Sequence, residues 1–135
     1  MNPSRGRVLI VDDDADVREV LVDRLKAEGF EVAASSDGAE GLGRIREGDF
    51  DLVLCDLQMP VMDGLAVLRQ VQEERLDTTV VVMTAYGSIE RAVEAMKAGA
   101  FDFISKPLDA ERLRVVVEKA VERQQLRREN AYFRE

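Results

Sequence analysis

The chain has 135 residues, a formal charge of -8 from 27 acidic and 19 basic residues, and no histidine. That is one domain's worth of globular composition, 46% hydrophobic and 34% charged, with an acid excess that argues against broad binding to nucleic-acid phosphates. Without imidazole there are no histidine-based triads and no HExxH zinc sites, so any chemistry runs on carboxylates, hydroxyls and lysine.

In chain order, Val8 to Val11, Phe30 to Ala34, Leu52 to Cys55, Val80 to Met83 and Phe101 to Ile104 are short apolar runs that read as strands. Between them lie stretches of helical period, with Val17, Val20, Leu21 and Leu25 on one face, then Leu42 with Ile45, Leu65 with Leu68, and Ile89 with Val93 and Met96. Asp14 is placed to cap the first helix, and Gly29 and Gly99 to stop the helices that precede strands two and five. Five successive βα units with strands apolar on both faces predict an α/β fold, a doubly wound five-stranded parallel sheet covered on both sides. From about Asp109 a helix needs to reach only about Val121 to cover the sheet, through Leu113, Val116, Val117 and Ala120. Beyond it, Leu126, Asn130 and Phe133 suit either a short coiled coil with a polar seam residue or a frayed, solvated helix projecting roughly 20 Å.

The charge divides along the same line. Residues 1–110 carry 12 basic and 22 acidic residues, a net -10, and residues 111–135 carry 7 and 5, a net +2. The lone Cys55 forms no internal disulfide and is most simply a small buried hydrophobe. No apolar run exceeds four residues, and Met1 to Gly6 lack a secretory signal, so the expected setting is cytoplasmic with no membrane span.

In a doubly wound sheet, ligand chemistry collects at the carboxyl ends of the strands. There the sequence places Asp12 to Asp14, Asp56, Thr84 and Lys106. Asp12, Asp13 and Asp56 would crowd three carboxylates; like charges about 4 Å apart repel by roughly 4 kcal/mol at an effective dielectric near 20. Such a cluster invites a cation or a raised pKa, and an all-oxygen donor set favours Mg²⁺, or Mn²⁺ in its place. A hydroxyl and a lysine beside it suit phosphoryl oxygens. Alone, three adjacent aspartates could equally solvate a loop and cap a helix.

The segments VLIVDDD (Val8 to Asp14), LVLCDLQMPVMDG (Leu52 to Gly64), VVMTAYG (Val81 to Gly87) and FDFISKP (Phe101 to Pro107) together resemble the receiver domain of two-component response regulators. The resemblance implies a flavodoxin-like (βα)5 sheet of strand order 2-1-3-4-5 with an extended C-terminal helix. It implies that Asp56 is the phosphoacceptor, that Asp12, Asp13, Asp56 and the Gln58 carbonyl hold Mg²⁺, and that Thr84 and Lys106 contact the phosphoryl group. It further implies a cis Lys106–Pro107 bond, Thr84 and Phe103 as switch residues, and a sensor histidine kinase as donor. Tyr86 resembles the aromatic that follows this threonine in transcriptional receivers.

The segments GSIERAVEAMKAGAFDFISKP and LRREN resemble the nitrogen-regulation (NtrC) type, in which a helical linker leads to an AAA+ ATPase that works with sigma-54 polymerase and then to a DNA-binding domain. The expected organisation is therefore a receiver over residues 1–121 and a linker over 122–135, in a piece of a longer protein. A homodimer through the last helix or the strand 4/5 face is expected, with no direct nucleic-acid contact by this segment. Two rivals fit less well. A haloacid-dehalogenase-like phosphatase would use Asp12 and Asp14 but lacks the Gly-Thr pair, with Ala15 and Asp16 in its place, and a flavodoxin-like cofactor carrier lacks a phosphate loop after strand one. The expectation is a signalling domain rather than an enzyme.

Overall fold

A computed structural model describes residues 4–85 and 88–133. Ten elements alternate: β1 Arg7–Val11, α1 Ala15–Ala27, β2 Glu31–Ser35, α2 Gly38–Glu47, β3 Leu52–Asp56, α3 Gly64–Glu73, β4 Thr79–Thr84, α4 Ile89–Lys97, β5 Asp102–Ser105 and α5 Ala110–Phe133. All strand pairs are parallel and the order is β2-β1-β3-β4-β5, the topology the sequence resemblance implied.

Side chains alternate across each strand, so the sheet has two apolar faces. Leu9, Val11, Val53, Cys55, Val80 and Val82 pack with α2, α3 and Ala95 of α4. Val8, Ile10, Leu52, Leu54, Val81 and Met83 pack with Leu21 and Leu25 of α1 and with Leu113, Val116, Val117, Ala120 and Val121 of α5. Burying one such aliphatic side chain contributes about 1.5–3 kcal/mol, and this two-sided core is what holds the strand ends in place.

The helix ends follow the expected chemistry. The Asp14 carboxylate accepts from the amides of Asp16 and Val17, and Gly29 and Gly99 take the left-handed φ values of +97° and +109° that end α1 and α4.

Three expectations need correcting. Phe30 precedes β2, because its amide donates to Leu25 O and so closes the helix end. Val20 of α1 faces solvent, leaving Leu21 and Leu25 to do the packing. On α4 the apolar row is inverted: Ala92 and Ala95 are buried, while Ile89, Val93 and Met96 are 73%, 46% and 40% exposed. Small residues let α4 approach the sheet, which turns its bulky row outward.

Helix α5 also grips the body beyond Val121. Gln124 is buried, accepting from the Thr79 hydroxyl and donating to Asp77. Arg128 donates to the carboxylates of Asp51 and Asp77 and to the carbonyls of Phe50 and Asp77. Leu126 and Asn130 are exposed. The side chain of Phe133, the third position of the suggested seam, and Tyr86 lie outside the described residues. Among the described residues no helix is long and apolar enough to cross a membrane.

Candidate functional site

The carboxyl ends of β1, β3, β4 and β5 bring Asp12, Asp56, Thr84 and Lys106 together. Asp12 follows β1 and Asp56 closes β3, and β1 and β3 are neighbours in register, so their carboxylates meet across one strand spacing. One carboxylate oxygen from each of Asp12, Asp13 and Asp56 lies within 4.8 Å of the others. Asp12 is 0% and Asp56 5% exposed, whereas Asp13 faces solvent. Lys106 Nζ reaches over from the end of β5, 2.9 Å from Asp12 Oδ2 and 3.3 Å from Asp56 Oδ2.

Each part is held from its own backbone. The Asp12 amide donates to Ser35 O, and its Oδ1 accepts from the amide of Asp14. Asp56 Oδ1 accepts from the Gln58 amide, which places Gln58 directly beside the Asp56 carboxylate. Thr84 is buried at the end of β4, and its carbonyl accepts from the Lys106 amide, tying the lysine's position to the threonine's strand. The Lys106–Pro107 bond is cis, as the resemblance implied. Phe103 pairs with Val82 in register, two residues before Thr84 with Ser105; period-two alternation puts Phe103 and Thr84 on the same face of the sheet. Gly64 opens α3 hard against the Asp56 backbone: a Cβ there would overlap the Asp56 carbonyl oxygen, so this helix start admits only glycine.

The electrostatics are those of a site short of positive charge. Burial, then the neighbouring Asp12 charge, pushes the Asp56 carboxyl above its ordinary value, against the Gln58 amide and Lys106, which pull it down. Burial works to lower the Lys106 pKa, but its hydrogen bond and charge contact with Asp12, and then Asp56, outweigh that and raise it. The Cys55 thiol is pushed up by burial and by Asp56, which leaves it a protonated core residue. Of the three clustered carboxylates two share one ammonium, and the donor set, all hard oxygens, fits a small divalent cation.

Sequence reasoning missed two residues that serve this end of the sheet. Arg18, on α1, donates to the carbonyl of Asp12 at 2.7 Å. Arg91, on α4, donates to Asp63, the N-cap of α3, and to the carbonyl of Leu57. Both act on backbone or on a cap, which carries no signature in the apolar pattern.

Comparison with known proteins agrees with the geometry. Residues 8–118 match the response regulator receiver domain family. The transcriptional regulatory protein ZraR of Escherichia coli (strain K12) is 44% identical over 114 residues, 84% of this chain and 26% of that one. The regulatory protein AtoC of the same strain is 38% identical over 124 residues, 92% of this chain and 27% of that one. The chain thus spans about a quarter of the length of these relatives. Among solved structures, NtrX from Brucella abortus in complex with ADP superimposes with a TM-score of 0.86 at 36% identity, covering 93% of this chain and 29% of that one. A receiver domain protein from Clostridium thermocellum gives 0.84 at 30% identity, covering 90% and 98%. With the two-sided sheet, the acidic pocket and the lysine in their expected order, the chain belongs to the response regulator receiver domain family.

Proposed function

We propose that the chain takes a phosphoryl group onto Asp56 from the phosphohistidine of a sensor kinase, in a Mg²⁺-dependent reaction, and so controls a downstream transcriptional output. The observation that carries this reading is the set of three carboxylate oxygens within 4.8 Å of one another, facing a single lysine. In the reaction one Asp56 oxygen attacks phosphorus in line as the bond from phosphorus to the donor nitrogen breaks. The electron pair stays on the departing imidazole, which takes up a proton. Asp12, Asp13 and Asp56, with the Gln58 carbonyl, would hold Mg²⁺, which when bound neutralises charge on the transferring oxygens. Lys106 supplies the remaining positive charge, and the Thr84 hydroxyl donates to a phosphoryl oxygen. Asp12 and Asp13 repel a bare phosphoryl group, so they make acceptance conditional on the cation.

The test is incorporation from a small acyl phosphate, followed by mass spectrometry. One acid-stable, base-labile phosphoryl group should appear only with Mg²⁺, and Asp56→Asn should abolish it. Labelling that persists in that variant would sink the assignment.

The output is a population shift between two forms, in which Thr84 moves toward the phosphoryl group and Phe103 turns on the same sheet face. Residues 1–121 make up the receiver, and residues 122–135 lead toward an AAA+ and DNA-binding output of the sigma-54 type, in a cytoplasmic setting. Support comes from the ZraR name, a transcriptional regulatory protein, and from the fraction of its length the chain covers. Assembly as a homodimer through α5 or the strand 4/5 face is supported by the outward row Ile89, Val93 and Met96, an apolar edge that no part of the described chain covers. Sedimentation decides it: the phosphorylated chain should be dimeric and Val93→Glu monomeric, and a dimer indifferent to Val93→Glu would move the contact elsewhere.

A further inference from the structure

We propose that Arg18 is a positioning residue for the cation site, holding the peptide between Asp12 and Asp13 so that both carboxylates face Asp56. The inference rests on the Mg²⁺ reading above.

The two aspartates are held very unequally. Asp12 is gripped at every polar atom: its amide donates to Ser35 O, its carboxylate oxygens accept from the Asp14 amide and from Lys106, and its carbonyl accepts from Arg18 Nη1 at 2.7 Å. Asp13 is exposed, and among the described residues its carboxylate accepts no hydrogen bond. Its direction therefore depends on the peptide plane that joins it to Asp12. The carbonyl of that plane is the atom Arg18 holds.

The placement of Arg18 has no other local rationale. It is the fourth residue of α1, near the helix end where the aligned peptide dipoles disfavour a cation. Among the described residues it forms no ion pair, although Asp14 and Asp16 are close in sequence. A guanidinium that bonds a neutral carbonyl and forms no ion pair among the described residues is acting on backbone geometry. Metal ligands held by such outer contacts typically lose about 10–100-fold in affinity when the contact is removed.

Charge and geometry predict opposite signs, which makes the proposal testable. Removing a positive charge beside three carboxylates strengthens Mg²⁺ binding if charge alone matters. If Arg18 positions the loop, Arg18→Ala weakens it. Calorimetric titration of the metal-free chain with Mg²⁺ should give about tenfold weaker binding for Arg18→Ala and recovery of most of the affinity in Arg18→Lys. Arg24→Ala, which removes the same charge further along α1, should bind as wild type or more tightly. In the metal-free protein the Asp14 amide, now bonded to Asp12, should exchange with solvent faster in Arg18→Ala while the β3 and β4 amides do not, a reading that also certifies the fold. In phosphoryl incorporation the half-saturating Mg²⁺ concentration should rise with the rate at saturation unchanged. Equal or tighter Mg²⁺ binding by Arg18→Ala overturns the proposal. A wild-type chain that binds no Mg²⁺ overturns the cation reading itself, so the two failures are distinct.

Discussion

At the carboxyl ends of β1 and β3, Asp12 and Asp56 share one cation, Lys106, with a third carboxylate, Asp13, clustered beside them; at the amino ends of β3 and β4, Asp51 and Asp77 share Arg128. Asp51 also accepts from the Arg7 amide, Asp77 also accepts from Gln124, and Arg128 spends its remaining donors on two carbonyls. A buried carboxylate stabilises a fold only when its lone pairs are met. One end of the sheet therefore uses its acids for structure. The other crowds Asp13 against a pair that already shares one ammonium, the condition under which burial and a neighbouring charge raise a pKa and binding of a cation becomes favourable. Helix α5 serves both ends, since it starts three residues after Pro107 and reaches the opposite edge at Arg128.

The strongest way to break this contrast is to remove the structural cation. Arg128→Ala leaves Asp51 buried with its Arg7 amide alone, and should cost about 2–3 kcal/mol of unfolding free energy in urea titration, with Mg²⁺-dependent phosphoryl incorporation unchanged. A loss under about 0.5 kcal/mol would mean that the polar contacts at the amino edge are solvent-exchanged ornaments rather than a clasp.

At the other end the sign reverses. Because the folded Asp56 carboxyl sits above its ordinary value, the native state holds that proton more tightly than the unfolded chain. The stability this residue contributes therefore falls as pH rises from the ordinary carboxylate value through the raised one. Asp56→Asn, neutral at every pH, should make the metal-free chain more stable at neutral pH by about 1 kcal/mol, the usual scale of relief at a functional residue. The gain should shrink as pH falls toward the ordinary carboxylate range. Asp51→Asn, which weakens the Arg128 contact, should lose stability at neutral pH in the same melts. Asparagine that destabilises both positions equally would erase the distinction between the two ends.

How far these two ends were legible in the sequence follows from the kind of interaction at each. The strands were readable because apolar runs of four or five residues have few other uses, and Asp12, Asp56, Thr84 and Lys106 because reactive residue types stand directly after them. Gln124 and Arg128 were not readable: their contacts are polar, and hydrogen-bonding complementarity leaves no period, so the helix past Val121 read as either a short coiled coil or a solvated helix. The α4 row misled for the opposite reason, since Ile89, Val93 and Met96 have a clear helical period but Ala92 and Ala95 take the core side. Periodicity identifies a stripe; it does not say whether the sheet or a partner receives it. Arg18 was silent because its acceptor is a backbone carbonyl, which every residue has.

The smallest expected effect separates the ends by backbone strain. In the loop after Asp56, Val61 takes φ +67° with its side chain fully exposed, a conformation costly for a β-branched residue, in a turn closed by the Met62 amide donating to the Pro60 carbonyl. Near the amino edge Asp49 takes φ +76°, but aspartate tolerates the left-handed region because its short side chain bonds locally. Val61→Gly relieves the clash and gives back part of the gain as unfolded-chain entropy, for a net stabilisation of about 0.5 kcal/mol. Asp49→Gly should be neutral or slightly destabilising. Thermal melts of the two variants side by side measure the difference, and equal responses would show that the loop after Asp56 carries no more strain than the structural edge. A positive difference that leaves phosphoryl incorporation from a small donor intact would locate that strain in the loop's outer surface, away from Asp12, Asp13 and Asp56.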